Sequence, residues 1–190
     1  MKRRVMMVIP TLGGGGAERV VTDLARFLHQ DRWDVRVISL YGRSHANEYF
    51  VSQIEETNHA AVIFLDKRNG IDFSLIKELR KIIKEYRPDI IHTHLYAGVY
   101  TGAASLFLNK KILHTVHNIA EQELPEAHRR LMNMAYQCHK VIPVAISKTV
   151  LDSIRNVYHL KEKDIRLVYN GIDSSQFINE EREEKTYDFI

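Results

Sequence analysis

Four consecutive glycines, Gly13 to Gly16, stand between an apolar segment and an amphipathic segment near the start of the chain. Glycine lets the backbone approach a ligand closely, and the first turn of a helix presents unpaired N–H groups and the positive end of its dipole. Because these features suit a diphosphate, we interpret Gly14, Gly15 and Gly16 as an anion-binding loop. A plain flexible turn is the alternative.

Two familiar phosphate-binding patterns do not fit this loop. The dinucleotide fingerprint G-x-G-x-x-G/A, started at Gly13 or Gly14, places Glu18 or Arg19 where its third glycine belongs. No Gly-Lys-Ser/Thr follows the glycines, which excludes the Walker pattern. Arg43, after the second apolar segment, could meet a 2′-phosphate, so an NADP-binding reductase domain stays open as an alternative.

Histidines close two of the apolar segments. His92 and His94 are two residues apart, so strand alternation places both on one side of a sheet, as a two-histidine metal site would require. No cysteine accompanies the pair, and we predict no metal. His117 begins the loop after the next apolar segment, where a proton donor or acceptor could meet a ligand. A hydrogen-bonded structural histidine is the alternative at each position.

The sequence gives little support to nucleophilic hydrolysis. It has no G-x-S-x-G motif, and its single cysteine, Cys138, lies beside His139 within a helical pattern. We predict that Cys138 is a small core side chain. A single cysteine also excludes an internal disulfide framework and fits a reducing cytoplasm.

The length and composition of the chain predict one globular domain. The chain has 190 residues, 45% of them hydrophobic, which is enough to bury a sizeable core. Its 27 basic and 24 acidic residues are interleaved, so we predict no nucleic-acid partner. No apolar stretch approaches the roughly 20 residues that cross a bilayer. We therefore predict a cytoplasmic protein and leave peripheral contact with the inner face of the membrane open.

Short apolar runs alternate with helical periodicity along most of the chain. Because the runs are continuously apolar, they predict strands buried on both faces of a parallel sheet. The predicted fold class is α/β, a doubly wound Rossmann-like parallel sheet with helices on both faces. The predicted strands cover residues 5–9, 35–40, 61–65, 90–92, 112–116, 141–146 and 166–169, and the predicted helices cover 17–30, 73–86, 99–108, 126–138 and 147–157.

In two of the predicted helices, residues of one type share a side. In the first, Val20, Leu24, Phe27 and Leu28 share one side, which predicts that this side packs on the sheet. The helix over residues 73–86 carries a basic side, which we interpret as solvated, with contact to an anionic membrane as the alternative. Its basic residues and their continuation are Lys77, Arg80, Lys81, Lys84 and Arg87.

Several motifs together resemble the amino-terminal domain of family 4 glycosyltransferases with the GT-B fold. Each motif alone is weak, whereas their order and spacing along nearly the whole chain are specific. They are Gly-Gly-Ala-Glu-Arg at 15–19, Pro-Asp-Ile-Ile-His-Thr-His at 88–94, Thr-Val-His-Asn at 115–118, Ala-Ile-Ser-Lys at 145–148, and Val-Tyr-Asn-Gly-Ile-Asp at 168–173 with Phe177.

The resemblance implies one half of a two-domain enzyme. The complete enzyme would transfer a sugar from a nucleotide diphosphate sugar, its donor substrate, to a glycan, lipid-linked or small acceptor, with retention and without a cofactor or metal. Residues 1–178 would form the acceptor-side domain, and residues 179–190 the connector and the start of a missing carboxy-terminal donor-binding domain. We therefore expect the isolated chain to be inactive.

The resemblance also implies roles for individual residues. The amides of Gly14, Gly15 and Gly16 would face the donor diphosphate, which gathers negative charge as it leaves. His117 would act catalytically beside the transferred sugar. His94, Asn118 and Tyr49 would bind the acceptor. We interpret residues 42–58, which contain Tyr49, as an acceptor-selecting loop, and a noncatalytic subunit that recruits a partner is the other alternative left open.

Overall fold

A single parallel sheet organises the chain. The computed structural model describes residues 2–28, 30–57 and 60–171. Its seven strands lie in the order β3-β2-β1-β4-β5-β6-β7, so the strand order reverses between β1 and β4 as in doubly wound folds. The strands are β1 (Arg3–Ile9), β2 (Trp33–Ser39), β3 (Ala60–Phe64), β4 (Ile90–His94), β5 (Lys111–Val116), β6 (Val141–Ala145) and β7 (Arg166–Leu167). The predicted fold class is confirmed.

Helices connect the strands on both sides of the sheet. The predicted helix over 73–86 is confirmed at both ends, because Asp72 caps its first turn and Arg87 ends it in the left-handed conformation before Pro88. The helices are α1 (Gly16–Phe27), α2 (Glu48–Glu55), α3 (Phe73–Tyr86), α4 (Ala97–Ala104), α5 (Ala120–Glu123), α6 (Glu126–Gln137) and α7 (Lys148–Tyr158).

The two faces of the sheet carry separate apolar cores. On the first, which we call the α1 face, Met7 and Ile9 of β1 pack with α1 and α2. On the second, the α3 face, Met6 and Val8 pack with α3, α4, α6 and α7. In a parallel pair, residues in register share a face, and Met7 pairs with His92. His92 and His94 therefore lie on the α1 face.

The predicted packing side of α1 is wrong in part. The helix buries Ala17, Val21 and Ala25 against the sheet, whereas Phe27 is 61% exposed. The small residues let α1 approach the strands closely, so the bulkier apolar side faces away from that contact. This leaves an apolar stripe on α1 beside the uncovered part of the α1 face.

Three local predictions also need correction. Half of the predicted acceptor-selecting loop at 42–58 is helix α2, which Asn47 caps by accepting the N–H of Tyr49 at 3.0 Å. Helix α4 ends at Ala104, four residues earlier than predicted. Cys138 is exposed at the end of α6, so its assignment to the core is wrong.

Some predictions cannot be compared with the structure. The predicted connector at 179–190 and the motif residues beyond Gly171, including Phe177, lie outside the described residues. Every helix in the described ranges is too short or too polar to span a membrane.

Candidate functional site

The glycine loop follows β1 at the carboxyl edge of the sheet and leads into α1. All four glycines are exposed. Gly14 has a φ of 152°, which L side chains rarely adopt, so a glycine is required there by the backbone alone. The loop packs beside the start of α2, because a Cβ on Gly14 would meet Phe50 at 3.9 Å.

The position of Glu18 explains why residue 15 is a glycine, and no ligand is needed for this explanation. Its buried carboxylate accepts the N–H of Gly15 at 3.0 Å and also faces the Thr11 hydroxyl at 3.4 Å. A Cβ on Gly15 would lie only 2.8 Å from that carboxylate, so Gly15 fits this cap. A Cβ on Gly16, in contrast, would meet no atom within 4 Å. Of the three predicted diphosphate glycines, Gly16 is therefore the one whose small size the fold does not require.

His94 and His117 form a hydrogen-bonded pair at the same edge of the sheet. The Nδ1 atom of His94, at the end of β4, lies 2.9 Å from the Nε2 atom of His117, just after β5. His94 is fully buried, whereas His117 is partly exposed. Among the described residues, His94 Nε2 has no hydrogen-bond partner. His117 is thus the member of the pair that a ligand can reach.

Two further histidines surround this pair. The His92 ring is tilted by 38° to the His94 ring, with centroids 4.3 Å apart, and its Nε2 lies 2.7 Å from the Thr115 hydroxyl. His114 lies on the α3 face, where its Nδ1 lies 2.9 Å from the Thr93 hydroxyl. Sequence reasoning did not select His114, although its position in the strand pattern predicts burial.

Burial keeps these imidazoles neutral. It lowers the pKa of His92 and of His117 to about 4. Burial, with repulsion from the neighbouring histidines, lowers the pKa of His114 to about 3 and that of His94 well below its usual value. At neutral pH, His117 therefore acts as an uncharged hydrogen-bonding group rather than as a cation.

This cluster predicts an acid-sensitive fold. Below pH 6.5 these four histidines bind protons in the unfolded chain but stay neutral in the folded chain, so folding stability falls as pH falls. Between pH 6.5 and 5, each of these histidines lowers the free energy of unfolding by up to about 1.4 kcal/mol for each pH unit of acidification. We expect denaturant unfolding at pH 7, 6 and 5 to show this steep decline.

Two variants test whether the buried cluster causes that decline. His92→Gln removes one buried titrating group and is expected to reduce the slope between pH 6.5 and 5 by about a quarter, since four histidines share it. His159→Asn removes an exposed histidine that ends α7 with a positive φ, which asparagine also tolerates. An equal reduction in both variants would contradict the assignment.

Glu123 fixes the turn that carries His117 and Asn118. Its carboxylate accepts the N–H groups of His117 at 3.2 Å and Asn118 at 3.0 Å, and the Asn118 side-chain amide at 3.1 Å. Burial raises the pKa of Glu123, while these hydrogen bonds oppose the rise. Glu123 was not predicted from the sequence, because two of its three donors are backbone N–H groups, which no motif shows.

The predicted acceptor residues fall into two groups. His94 and Asn118 belong to the histidine pair and its turn. Tyr49 is about half exposed on the first turn of α2. Asp23 raises the pKa of the Arg19 guanidinium, and Tyr49 contributes to this rise. Among the contacts of the described residues, none joins Tyr49 to His94. The structure thus places Tyr49 beside the start of α1 and the glycine loop.

A cleft of about 620 Å³ lies on the α1 face next to α1. The apolar stripe of α1 forms one wall, through Val20, Leu24 and Phe27. His92 and Thr115 form its floor, and the segment up to Gly171 forms another wall. The cleft therefore joins the histidine cluster to the end of the described chain.

The described residues bear on two alternatives, a metal centre and an NADP contact. Within residues 2–28, 30–57 and 60–171, no group of three or more His, Cys, Asp or Glu side chains is placed to hold a metal ion. The guanidinium of Arg43 pairs with Glu48 at 2.8 Å and with Glu55 at 3.4 Å. A 2′-phosphate would have to displace these carboxylates.

Solved structures share this fold at low sequence identity. The Anabaena protein HepE in complex with UDP matches with a TM-score of 0.68 and 19% identity, over 93% of this chain and 46% of its own. The lipopolysaccharide outer core galactosyltransferase WaaB matches with a TM-score of 0.66 and 18% identity, over 89% and 46%. UDP-GlcNAc 2-epimerase from Neisseria meningitidis, bound to UDP-GlcNAc, matches with a TM-score of 0.63 and 13% identity, over 88% and 46%.

These structures show the sheet and helices of one half of a GT-B fold, and the chain spans slightly less than half the length of each of them. Because the epimerase shares the same fold, the fold alone does not identify the reaction. No curated protein sequence matches the chain significantly. The profile of Glycosyltransferase Family 4, however, matches residues 14–176, which include the glycine loop from Gly14, the histidine pair and the Asn118 turn. The chain therefore belongs to glycosyltransferase family 4.

Proposed function

We propose that this chain forms the acceptor-side half of an enzyme that transfers a sugar from a nucleotide diphosphate sugar to an acceptor, with retention. The observation that carries the proposal is the His94–His117 pair, which lies at the same edge of the sheet as Gly16, the glycine with open space beside it. The chain's membership of glycosyltransferase family 4 gives this arrangement its meaning. HepE was crystallised with UDP, which makes UDP-sugars the first donors to test.

On the donor side, Gly16 is the proposed point of approach for the diphosphate. The open space beside Gly16, at the first turn of α1, allows negatively charged oxygens to reach N–H groups at the positive end of the helix dipole. Such preorganised donors stabilise the charge that develops on the leaving nucleotide diphosphate. Gly14 and Gly15 would shape the loop and present its backbone.

On the sugar side, His94 is proposed to set the proton position of His117. If His94 carried its proton on Nε2, a buried N–H would have no partner among the described residues. A proton on Nδ1 instead donates to His117 Nε2 and leaves only an unpaired acceptor, which is the less costly arrangement. His117 then carries its own proton on Nδ1 and can donate it to a sugar hydroxyl. His94 is thus a positioning residue for His117, because its full burial prevents direct contact with an acceptor.

The acceptor is proposed to bind between the Asn118 turn and the start of α2. Asn118 and Tyr49 are both exposed, and each belongs to a segment fixed by side-chain to backbone hydrogen bonds. The donor-binding residues would come from a second α/β half, since the matched structures are about twice as long as this chain. The cleft beside α1 offers an apolar surface where that half can pack.

The proposal predicts that residues 1–190 alone fold but do not transfer sugar. A panel of nucleotide sugars that includes UDP-glucose, with product detection by mass spectrometry, is expected to show no turnover by this chain. Turnover is expected when a donor-binding half is joined to it, because most donor contacts would come from that half. Robust transfer by the isolated chain would contradict the two-half proposal. NADPH binding in a fluorescence titration would favour the reductase alternative instead.

A further inference from the structure

A second cavity lies between α4 and α6 on the α3 face, with a volume of about 380 Å³. We call it the α4–α6 groove. Aliphatic side chains of both helices form most of its walls, and residues at the starts of β5 and β6, including Lys110 and Lys140, close one end. The groove therefore reaches the amino edge of the sheet, opposite the edge that holds the glycine loop and His117.

Large apolar side chains project around this groove. Leu106, Leu131 and Met134 are each more than half exposed, and Phe107 is 95% exposed. Phe107 also has a φ of 63°, a left-handed conformation that is unfavourable for residues other than glycine, asparagine and aspartate. A turn at the end of α4 needs no phenylalanine in this conformation. An apolar ring held in water by a strained backbone indicates a binding surface.

The charge around the groove is mostly positive. Lys110 and Lys140 line it, and Lys111 is exposed beside them. No aspartate or glutamate occurs between residues 90 and 120 or between residues 127 and 151, the stretches that form the groove, although the chain has 24 acidic residues.

Helix α3 extends this positive surface along its basic side. Arg80 donates to the carbonyl oxygens of Ala104 and Leu106 at 2.9 and 2.7 Å, so α3 borders the groove. Of the acidic residues on α3 and at the start of α6, Glu85 pairs with Lys81 and Glu126 pairs with Arg130. Glu78 of α3 and Asp89, just before β4, are exposed carboxylates at the border of this surface.

We propose that the α4–α6 groove and its rim dock onto an anionic phospholipid bilayer, with Phe107 and its apolar neighbours inserted below the headgroups. Lysine is depleted from protein–protein interfaces, whereas each lysine close to a negatively charged leaflet strengthens binding. The groove has an apolar centre and a rim of lysines, and the stretches that form it contain no carboxylate. This arrangement matches an anionic bilayer, which has an apolar interior and negatively charged headgroups. The observations therefore favour a membrane over a protein partner.

This surface is separate from the proposed chemistry. It lies on the α3 face, whereas the His94–His117 pair and α1 lie on the α1 face, and its lysines stand at the amino edge of the sheet, away from the glycine loop. Variants on the rim leave the glycine loop and the histidine pair intact. Vesicle binding without any sugar nucleotide thus tests this inference independently of the proposed transferase function.

The test is co-sedimentation of the chain with vesicles of phosphatidylcholine alone or with phosphatidylglycerol added. We expect binding to the anionic vesicles that weakens in high salt. Lys111→Glu with Lys140→Glu is expected to weaken it by at least about thirtyfold. Phe107→Gly is expected to weaken it by about tenfold or more while the chain folds at least as stably, because glycine relieves the positive φ.

Matched controls keep the expected losses specific. Lys161→Glu with Lys163→Glu reverses two exposed charges beyond α7, and Phe27→Ala removes an exposed phenylalanine from the α1 face. Both controls are expected to bind vesicles as the unchanged chain does. No binding to anionic vesicles, or equal losses in the controls, would overturn the proposal. Self-association that Phe107→Gly abolishes, without vesicle binding, would also overturn it and assign the surface to a second copy of the chain.

Discussion

His117→Ala, in a chain joined to a donor-binding half, is expected to lower the turnover number by about tenfold to a thousandfold. The reason is the loss of a neutral hydrogen-bonding group beside the transferred sugar, an effect in the range of one lost polar transition-state contact. Steady-state rates with a UDP-sugar donor would measure it. The alanine also leaves His94 Nδ1 without its partner, so rates must be compared per folded molecule.

His92→Gln is the matched control for that measurement. His92 lies on the same face of β4, and removing it deletes a similarly buried imidazole that bonds to Thr115 rather than to His117. We expect the turnover number of this variant to stay within about threefold of the unchanged enzyme. Equal rates for His117→Ala and the unchanged enzyme would make His117 a structural histidine. Nitrogen chemical shifts of the imidazoles would separately show whether His117 carries its proton on Nδ1.

Gly16→Val is expected to reduce transfer to background and to weaken donor binding by at least about a hundredfold, because the charge-assisted hydrogen bonds of a diphosphate each contribute about 1.5–3 kcal/mol. The branched side chain would occupy the open space through which the diphosphate reaches the start of α1. The fold is expected to survive, since a Cβ at this position meets no atom within 4 Å. Calorimetry with UDP and thermal unfolding would measure the two effects.

Gly102→Val provides the control for the glycine loop. Gly102 lies in α4, and a Cβ there also meets no atom within 4 Å, so the same substitution is made in a helix on the other face of the sheet. We expect it to leave donor binding unchanged. If Gly16→Val binds UDP as tightly as the unchanged enzyme, the glycine loop is only a turn and the diphosphate assignment fails.

Much of the fold was predictable from the sequence because local patterns of apolar residues indicate which segments are buried. Continuous apolar runs marked the first six strands, and the segment 166–169 was predicted to be a strand where β7 lies. Helix α3 was predicted from Phe73 to Tyr86 because an apolar stripe and a following proline define it. Helix α2 was missed because eight residues with a weak apolar stripe resemble a loop. The packing side of α1 was missed because small residues carry it, and hydrophobicity alone favoured the larger ones.

The candidate site was predictable only as a set of residue types at strand ends. Strand alternation correctly put His92 and His94 on one face, and the strand order brought His94 next to His117. Sequence could not show that His94 is buried beneath His117, nor that the Glu123 carboxylate holds the turn. Those contacts join residues on different elements, so their distances depend on how the elements pack.

The sequence by itself determined the alternation of strands and helices, the family and the edge of the sheet where the candidate residues lie, because each of these follows from local periodicity and motif order. Only the tertiary structure decided at which glycine position the fold does not require a glycine, which histidine is exposed and where Phe107 projects. Exposure and side-chain contact are properties of packing between segments distant in the chain, and neither composition nor spacing contains them.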